Sequence, residues 1–144
     1  MKRIVILGCA GCGKSTLAKE LGSILNLPVI HLDRYYWKPG WVEEDPEVFS
    51  RFQQEVVRED EWIIDGNYRN SIDLRLSRCD TVIFLDFKRS VALRGVFKRY
   101  FQYKNKTRDS IGIGCPEKLD KSFLKWVWNF RKNARPILLD KVND

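Results

Sequence analysis

The chain has 144 residues, of which 44% are hydrophobic and 31% are charged, a composition typical of a folded domain with a sizeable core. No apolar run is long enough to span a bilayer. The short apolar stretch after Lys2 and Arg3 ends in glycines and Lys14, not in a cleavage site. We therefore expect a cytoplasmic protein without a membrane partner, whose four cysteines stay reduced.

The net charge of +7 is concentrated in one part of the sequence. Residues 88–135 contain 14 Lys and Arg against 3 acids, whereas the remainder holds 12 Lys and Arg against 16 acids. A cationic segment on an acidic body favours a polyanionic partner, either nucleotide phosphates or nucleic acid. A solvated basic helix face explains the charge excess equally well.

Short apolar runs alternate with helical patterns along the whole chain. Four runs predict strands buried on both faces: RIVILG, PVIHLD, EWIIDG and DTVIFLD. Helices are predicted over 13–25, 45–58, 71–77, 91–103 and 121–142, the second capped by Asp45 with Pro46 as its first residue. This order predicts a single α/β domain over 1–144, with helices on both faces of a parallel sheet.

Each predicted strand ends in residues that could take part in chemistry. These are Gly8 with its loop, His31-Leu32-Asp33, Asp65-Gly66 and Asp86. Because parallel sheets bind ligands beyond the carboxyl ends of their strands, we expect one shared site there. We interpret His31 as a structural histidine and Asp86 as a helix N-cap or turn residue.

The segment GCAGCGKST has the pattern of a phosphate-binding loop between a strand and a helix. Its glycines allow backbone N–H groups to approach phosphate oxygens, and the helix adds its N-terminal dipole. Lys14 is predicted to contact the β- and γ-phosphates of ATP, and the Ser15 hydroxyl to bind Mg²⁺. The predicted nucleotide-binding residues are Gly8, Gly11, Cys12, Gly13, Lys14, Ser15 and Thr16.

The same segment also contains a CxxC, Cys9 to Cys12, which elsewhere indicates a redox pair or half of a zinc site. That interpretation leaves the three glycines, the lysine and the serine of the loop unexplained. A zinc site would need further ligands, and Cys79, Cys115 and His31 are scattered along the chain. We therefore interpret the CxxC as incidental to a phosphate loop, whose helix start could still lower the pKa of Cys12.

The carboxylates at the strand ends suggest a phosphoryl-transfer reaction. Asp65 is expected to hold Mg²⁺ directly or through water, and Asp33 to orient or deprotonate an acceptor hydroxyl. Such a reaction also needs cations, and the arginines after the third strand and in the basic segment could form a closing lid. The candidate arginines are Arg69, Arg75, Arg94, Arg99, Arg108, Arg131 and Arg135.

Taken together, these motifs resemble the nucleotide-kinase branch of P-loop proteins, with the adenylate kinase-like fold. More closely, the chain is similar along nearly its whole length to the DNA topology modulation proteins (FlaR-related). The segments that carry this similarity are PVIHLDRYYWKPGW, WIIDGNY with LRL, DTVIFLD, and GCPEKLD with FLKWVWNF. Asn67-Tyr68 stands where adenylate kinases carry Phe-Pro, so AMP is not implied as the acceptor.

The resemblance implies a P-loop NTPase fold with at least four parallel strands and a basic helical lid over about 100–120. It implies ATP at Gly8–Thr16, Mg²⁺ near Ser15 and Asp65, and an acceptor near Asp33, Asp65 and Arg69. It makes Arg94, Arg99, Arg131 and Arg135 candidate phosphate contacts. We assign catalysis to Lys14, Asp33, Asp65, Arg94 and Arg131, and substrate binding to Asp33, Asp65, Arg69 and Arg135. A final strand beside the first, expected in this fold, has no counterpart before Asp144.

Two functions follow from these patterns. The first is a kinase that transfers the γ-phosphate of ATP to a nucleoside, a nucleotide or a similar hydroxylated small molecule. The second is an ATP-dependent DNA-binding regulator that binds nucleic acid through the basic segment 88–135. Aromatic residues between the cations of that segment could stack on bases, or form the buried stripe of amphipathic helices. The aromatics that could stack are Phe97, Tyr100, Phe101, Tyr103, Trp126 and Trp128. Phe97, Phe123, Trp126, Val127 and Phe130 also fit the buried stripe, and we favour that interpretation for most of them.

Overall fold

The computed structural model describes residues 1–144 and contains six strands and seven α-helices. The strands are β1 (Arg3–Gly8), β2 (Val29–His31), β3 (Trp37–Lys38), β4 (Val42–Glu43), β5 (Trp62–Asp65) and β6 (Thr81–Leu85). The helices are α1 (Lys14–Leu25), α2 (Leu32–Tyr36), α3 (Pro46–Val56), α4 (Ile72–Leu76), α5 (Arg89–Tyr103), α6 (Lys121–Asn133) and α7 (Arg135–Asn143). A 3₁₀ turn over Arg69–Ser71 precedes α4.

Four of the strands form one parallel sheet in the order β2-β5-β1-β6. The predicted P-loop α/β fold with four parallel strands is thereby confirmed, although β6 and most of β2, the two edge strands, are only partly buried. Because β1 lies between β5 and β6, the loop after Gly8 emerges in the middle of the sheet edge. The carboxyl ends of β2 and β5 lie beside it, since His31 is in register with Asp65.

Alternating side chains of β1 separate the two sides of the sheet. Ile4 and Ile6 pack with Ala18 of α1, whereas Val5 and Leu7 belong to a larger cluster on the opposite side. That larger cluster draws apolar side chains from α3 to α7, including Phe49, Ile72, Val96, Phe130 and Leu138. Helices therefore cover both faces, which explains why the strands are continuous apolar runs. No helix of the chain is both long enough and apolar enough to cross a lipid bilayer.

The structure differs from the predicted elements in two places. The second strand was predicted to include Asp33, but β2 ends at His31 and α2 follows at once. Asp33 therefore lies in a helical turn and not at a strand end. After α2, the antiparallel pair β3 and β4 forms a small hairpin. The helix predicted over 121–142 is divided at Ala134, because Pro136 at the start of α7 cannot continue the backbone bonds of α6.

Arg75 holds the loop that follows β5. Its side chain is fully buried and donates hydrogen bonds from Nη1 to the carbonyl oxygen of Gly66 (2.6 Å) and from Nη2 to those of Asn67 (2.6 Å) and Tyr68 (3.0 Å). Burial lowers the pKa of Arg75 to about 10, which leaves the guanidinium charged at neutral pH. Arg75 was a candidate phosphate ligand in the sequence, but the structure assigns its donors to the backbone.

We predict that Arg75→Leu lowers the free energy of unfolding by about 3 kcal/mol or more, because three buried carbonyl groups lose a charged donor. Chemical denaturation should show a lower midpoint with an unchanged slope. Arg51→Leu, at an exposed position of α3, is the control and should change stability by less than about 0.5 kcal/mol. Equal stability of the Arg75 variant and the wild type would contradict this role.

Candidate active site

One cavity of about 870 Å³ lies at the carboxyl edge of the parallel sheet. It is lined by the phosphate loop, the ends of β2 and β5, the hairpin, α5, and the 104–120 loop between α5 and α6. Five of the predicted nucleotide-binding residues line it: Gly11, Gly13, Lys14, Ser15 and Thr16. Gly8 and Cys12 do not. The sheet therefore brings the motifs that follow β1, β2 and β5 to one concave site, as its topology predicts, whereas Asp86 after β6 does not line this site.

The phosphate loop is closed on itself around Lys14. The Lys14 ammonium donates a hydrogen bond to the carbonyl oxygen of Cys9 across the loop, at 3.1 Å. The backbone of Gly13 has φ +88°, a left-handed conformation that a glycine adopts without strain, and α1 begins at the next residue. The start of α1 and the Lys14 side chain thus face the same cavity, an arrangement suited to an oxyanion.

Asn67 joins this loop to the segment after β5. Its side-chain Oδ1 accepts a hydrogen bond from the Gly8 N–H at 3.0 Å, and its Nδ2 donates to the Gly8 carbonyl oxygen at 2.8 Å. The amide therefore satisfies both backbone groups of the residue where β1 ends. Asn67 is one of the two residues that differ from the adenylate kinase pattern, and the structure gives it this positioning role.

Helix α5 approaches the loop backbone to backbone. A Cβ atom at Gly95 would lie 1.9 Å from the carbonyl oxygen of Gly11, and a Cβ atom at Gly11 would lie 2.3 Å from that of Ala92. Neither position can carry a side chain without moving the helix or the loop. The sequence shows no local sign of this contact, because Gly11 and Gly95 are 84 positions apart.

The two cysteines of the loop face the core and not the cavity. Cys9 and Cys12 are 3% and 9% exposed and both pack in the larger hydrophobic cluster. Interaction with the Cys12 thiol, reinforced by burial, raises the pKa of Cys9. Interaction with the Cys9 thiol, aided by Lys14, lowers the pKa of Cys12. This lowering has the direction expected for a thiol beside a helix start.

Asp65 lies at the base of the cavity and is almost completely buried. Its Oδ2 pairs with Nδ1 of His31 on the neighbouring strand β2, which is itself buried. The structural role predicted for His31 is consistent with this pair. The other carboxylate oxygen of Asp65 accepts no hydrogen bond from the chain, so it can serve a ligand.

Asp33 and Tyr68 form a second polar pair on the cavity wall. The Tyr68 hydroxyl donates to Oδ1 of Asp33. Burial, reinforced by the Asp33 carboxylate, raises the pKa of Tyr68, so the phenol stays protonated and keeps its donor role. Beside this pair, Tyr36, Phe49 and Tyr68 pack with ring centroids 4.9 to 5.1 Å apart. The segment DRYYWKPGW, residues 33–41, also contributes to the wall, through Tyr36, Trp37 and Trp41.

Oxygen ligands suited to Mg²⁺ are present in this cavity. The Ser15 hydroxyl and the free oxygen of Asp65 are both hard donors, and both residues line the same space. Two protein ligands leave room for phosphate oxygens and water, which Mg²⁺ retains in phosphoryl-transfer sites. The residues present therefore fit the metal.

The predicted arginines are distributed differently from the expectation. Arg69 is exposed and lines the cavity. Arg94 is exposed and does not line the cavity. Arg131 and Arg135 do not line the cavity either. The latter two bind Asp86: Arg131 Nη1 lies 2.9 Å from Oδ1, and Arg135 Nη2 lies 2.5 Å from Oδ2. Arg135 in particular lowers the pKa of Asp86.

The interpretation of Asp86 as a helix N-cap was wrong. Helix α5 is capped at Lys88 without any side-chain hydrogen bond, and the Asp86 carboxylate instead joins β6 to α6 and α7. The carboxylate accepts hydrogen bonds from two arginines that are 45 and 49 positions away in the sequence, and not from the neighbouring backbone. Residues close to Asp86 in the sequence could not indicate these partners.

Three ion pairs that the sequence did not reveal involve the 104–120 loop. Lys19 of α1 lies 2.6 Å from Asp109. Glu117 is buried between Arg99 of α5 and Arg108 of the loop. The sequence contained one signal for them, since Asp109, Glu117 and Asp120 are the only acids of the basic segment.

The same loop is fastened to the hairpin on the other side of the cavity. The Gly40 N–H donates to the carbonyl oxygen of Gly114 (2.9 Å), and Nε1 of Trp41 donates to that of Pro116 (3.0 Å). The Cys115 thiol donates to the Lys38 carbonyl oxygen (3.1 Å). The 104–120 loop thus spans the cavity between α5 and the hairpin.

Comparison with solved structures finds the same fold in other proteins. Two shikimate kinase structures share the fold. The one from Acinetobacter baumannii, in complex with shikimate, aligns with a TM-score of 0.62 at 14% identity and covers 98% of this chain and 80% of that one. The enzyme from Aquifex aeolicus aligns with a TM-score of 0.54 at 18% identity, covering 96% and 81%. At these identities the likeness concerns the fold alone.

Sequence comparison gives two further similarities and a family. The uncharacterized protein YqaC of Bacillus subtilis is 32% identical over 131 residues, covering 88% of this chain and 71% of that protein. A shikimate kinase of Flavobacterium johnsoniae is 52% identical over 33 residues, covering 23% of this chain and 19% of that protein. The family model described as AAA domain (AAA_18) matches residues 4–111. With its nucleotide-binding, kinase-like fold, the chain belongs to this AAA-domain family of P-loop NTPases.

Proposed function

We propose that the protein is an ATP-dependent phosphotransferase that transfers the γ-phosphate of ATP to a hydroxyl group of a nucleoside, a nucleotide or a similar small molecule. The observation that carries the proposal is the shared cavity, in which the phosphate loop and the carboxylates Asp33 and Asp65 line one space. Its volume of about 870 Å³ is at the upper end of the range for small-molecule sites, roughly 300–1,000 Å³.

In this proposal each side chain acts through the contacts described above. Lys14 exchanges its bond to the Cys9 carbonyl for the phosphates of ATP. Ser15 and Asp65 would hold Mg²⁺, which would supply positive charge to the phosphate oxygens. Asp33, held by Tyr68, orients or deprotonates the acceptor hydroxyl, and Arg69 contacts the acceptor. The aromatic wall formed by Tyr36 and its neighbours packs against the acceptor body.

Two further points support a phosphotransferase with a small acceptor. Shikimate kinases, which share this fold, include one solved in complex with shikimate. The cavity lining contains seven Lys and Arg side chains against five acids, and Glu117 and Asp109 are already paired with cations. The excess positive charge suits the phosphates of ATP. In this proposal the 104–120 loop acts as the lid.

We predict that Lys14→Ala lowers acceptor-stimulated turnover at least about a hundredfold, because a cation facing developing phosphate charge is lost. ADP release, measured over a panel of nucleosides, nucleoside monophosphates, sugars and shikimate, provides the test. Lys2→Ala, at an exposed ion pair with Glu61, serves as the control and should retain wild-type turnover. The absence of turnover with any acceptor on the panel would overturn the kinase proposal.

A second candidate function is an ATP-dependent nucleic-acid-binding regulator, as the resemblance to the DNA topology modulation proteins suggests. Its support is a surface on α5 and α6, two helices that contain four Lys or Arg each and no Asp or Glu. Phe101 is 72% exposed and Trp128 is 51% exposed, with the Arg89 guanidinium 4.1 Å from the centroid of the Trp128 ring.

The structure divides the aromatics of this segment into two groups. Phe130 is buried and Phe123 is half-buried, as the amphipathic interpretation expected. Phe97 and Trp126 were expected in that buried stripe as well, but they are 40% and 42% exposed. Exposed aromatics beside cations favour stacking on unpaired bases.

We predict that labelled single-stranded oligothymidine binds this surface with a strong dependence on salt. The slope of log K against log salt concentration should be about −2 to −4, since each released counterion contributes roughly −0.7 for single strands. Trp128→Ala should weaken binding measured by fluorescence anisotropy, whereas Phe87→Ala, exposed outside α5 and α6, should not. High-micromolar affinity that does not change with salt would exclude this function.

A further inference from the structure

A second, smaller groove on the surface of α6 adjoins the reaction cavity. It has a volume of about 230 Å³. Trp126 and Ala134 line both spaces, so this α6 groove begins where the reaction cavity ends. A ligand whose end lies in the reaction cavity can therefore continue outwards along α6.

The α6 groove presents a polar stripe of one helix face. Its polar side chains are Ser122, Lys125, Asn129 and Asn133, which recur every three or four residues and so share that face. They offer a hydroxyl, an ammonium and two amides, and no carboxylate lines the groove. Side chains of these kinds contact the phosphates and sugars of nucleic acids without reading their sequence.

Trp126 provides a fixed aromatic surface at the junction of the two spaces. Its ring packs nearly parallel to that of Phe123, with 15° between the planes and centroids 6.1 Å apart, and edge-on to that of Phe130, at 5.5 Å. The side chain is nevertheless 42% exposed. Packing therefore orients the ring and leaves part of it free to stack on a base of any identity.

Lysines surround the passage from the cavity to the α6 groove. Lys98 of α5 and Lys118 of the 104–120 loop are exposed and line the reaction cavity, and the exposed Lys125 lines the groove. None of these three ammonium groups forms an ion pair with a carboxylate of the chain. The passage thus carries uncompensated positive charge, which complements a chain of phosphates better than an uncharged small molecule.

We propose that the acceptor is the terminal nucleoside of a single-stranded nucleic acid, whose hydroxyl lies in the reaction cavity while the next nucleotides follow the α6 groove. The proposal rests on the proposed phosphotransferase function and names its acceptor. The terminal hydroxyl oxygen forms a bond to the γ-phosphorus of ATP as the bond from that phosphorus to the β,γ-bridging oxygen breaks. ADP leaves, the hydroxyl proton passes to Asp33, and the strand gains a terminal phosphate.

Transfer of labelled γ-phosphate from ATP to oligothymidines tests the proposal. Between thymidine and strands of up to about 16 nucleotides, kcat/KM should rise at least about tenfold, because later nucleotides bind outside the reaction cavity. A circular oligothymidine has no terminal hydroxyl and should accept no phosphate. Strands already phosphorylated at the 5′ or the 3′ end show which end reacts, and oligouridine shows whether RNA replaces DNA.

Two variants of the α6 groove locate the bound strand. Trp126→Ala should raise KM for the longest strand about five- to a hundredfold through lost stacking. Lys125→Ala, which leaves the aromatic packing intact, should reduce the preference for that strand over thymidine about threefold or more, since one phosphate contact is lost. Lys2→Ala, the same change at the amino edge of the sheet, is the control and should leave KM unaltered.

The possible failures are distinguishable. Phosphate transfer to thymidine that does not increase with strand length, or wild-type preference for long strands in both groove variants, would overturn this proposal and leave the phosphotransferase function intact. Strand binding seen by fluorescence anisotropy without transfer to the strand would overturn it in favour of the nucleic-acid-binding regulator. An absence of transfer to every strand and every small acceptor would overturn both the proposal and the phosphotransferase function.

Discussion

The two hydrogen bonds between the Asn67 side chain and the backbone of Gly8 are the constraint on which the site depends. They fix the point where β1 ends and the phosphate loop begins, and they do so from the segment that follows β5. The Arg75 guanidinium fixes that segment through hydrogen bonds to three of its carbonyl oxygens. Asp65 and Tyr68, which flank the segment, are thereby placed against the loop, and the nucleotide side and the acceptor side of the cavity share one support.

The sequence predicted the sheet well because its two central strands, β1 and β5, are buried on both faces, and the edge strands β2 and β6 are also short apolar runs, although only partly buried. Runs such as Ile4 to Leu7 and Trp62 to Ile64 have no polar alternation, which distinguishes a central parallel strand from a surface strand. The hairpin was missed because β3 and β4 contain two residues each and have no periodicity to detect. The hairpin gains its order from the 104–120 loop, through contacts such as Trp41 with Pro116.

The site was predictable where its residues are contiguous and unpredictable where they are not. The phosphate loop occupies nine consecutive positions, so its spacing alone indicates its conformation. The arginines gave no such signal. Arg131 and Arg135, chosen as phosphate contacts, are bound to Asp86, while Arg99 and Arg108 line the cavity and pair with Glu117. Which cation meets which carboxylate is decided by packing of helices, not by spacing.

The contact between Gly11 and Gly95 has a mechanical consequence. Because backbone meets backbone there, no side chain can absorb a displacement, and α5 acts as a rigid lever with its fulcrum on the phosphate loop. The arm from Gly95 to Tyr103 is about 12 Å long at 1.5 Å per residue, so a tilt of about 10° moves its far end by about 2 Å. The 104–120 loop is attached to that far end. A large movement of this loop, which would open the cavity, therefore requires only a small displacement of the backbone at the phosphate loop.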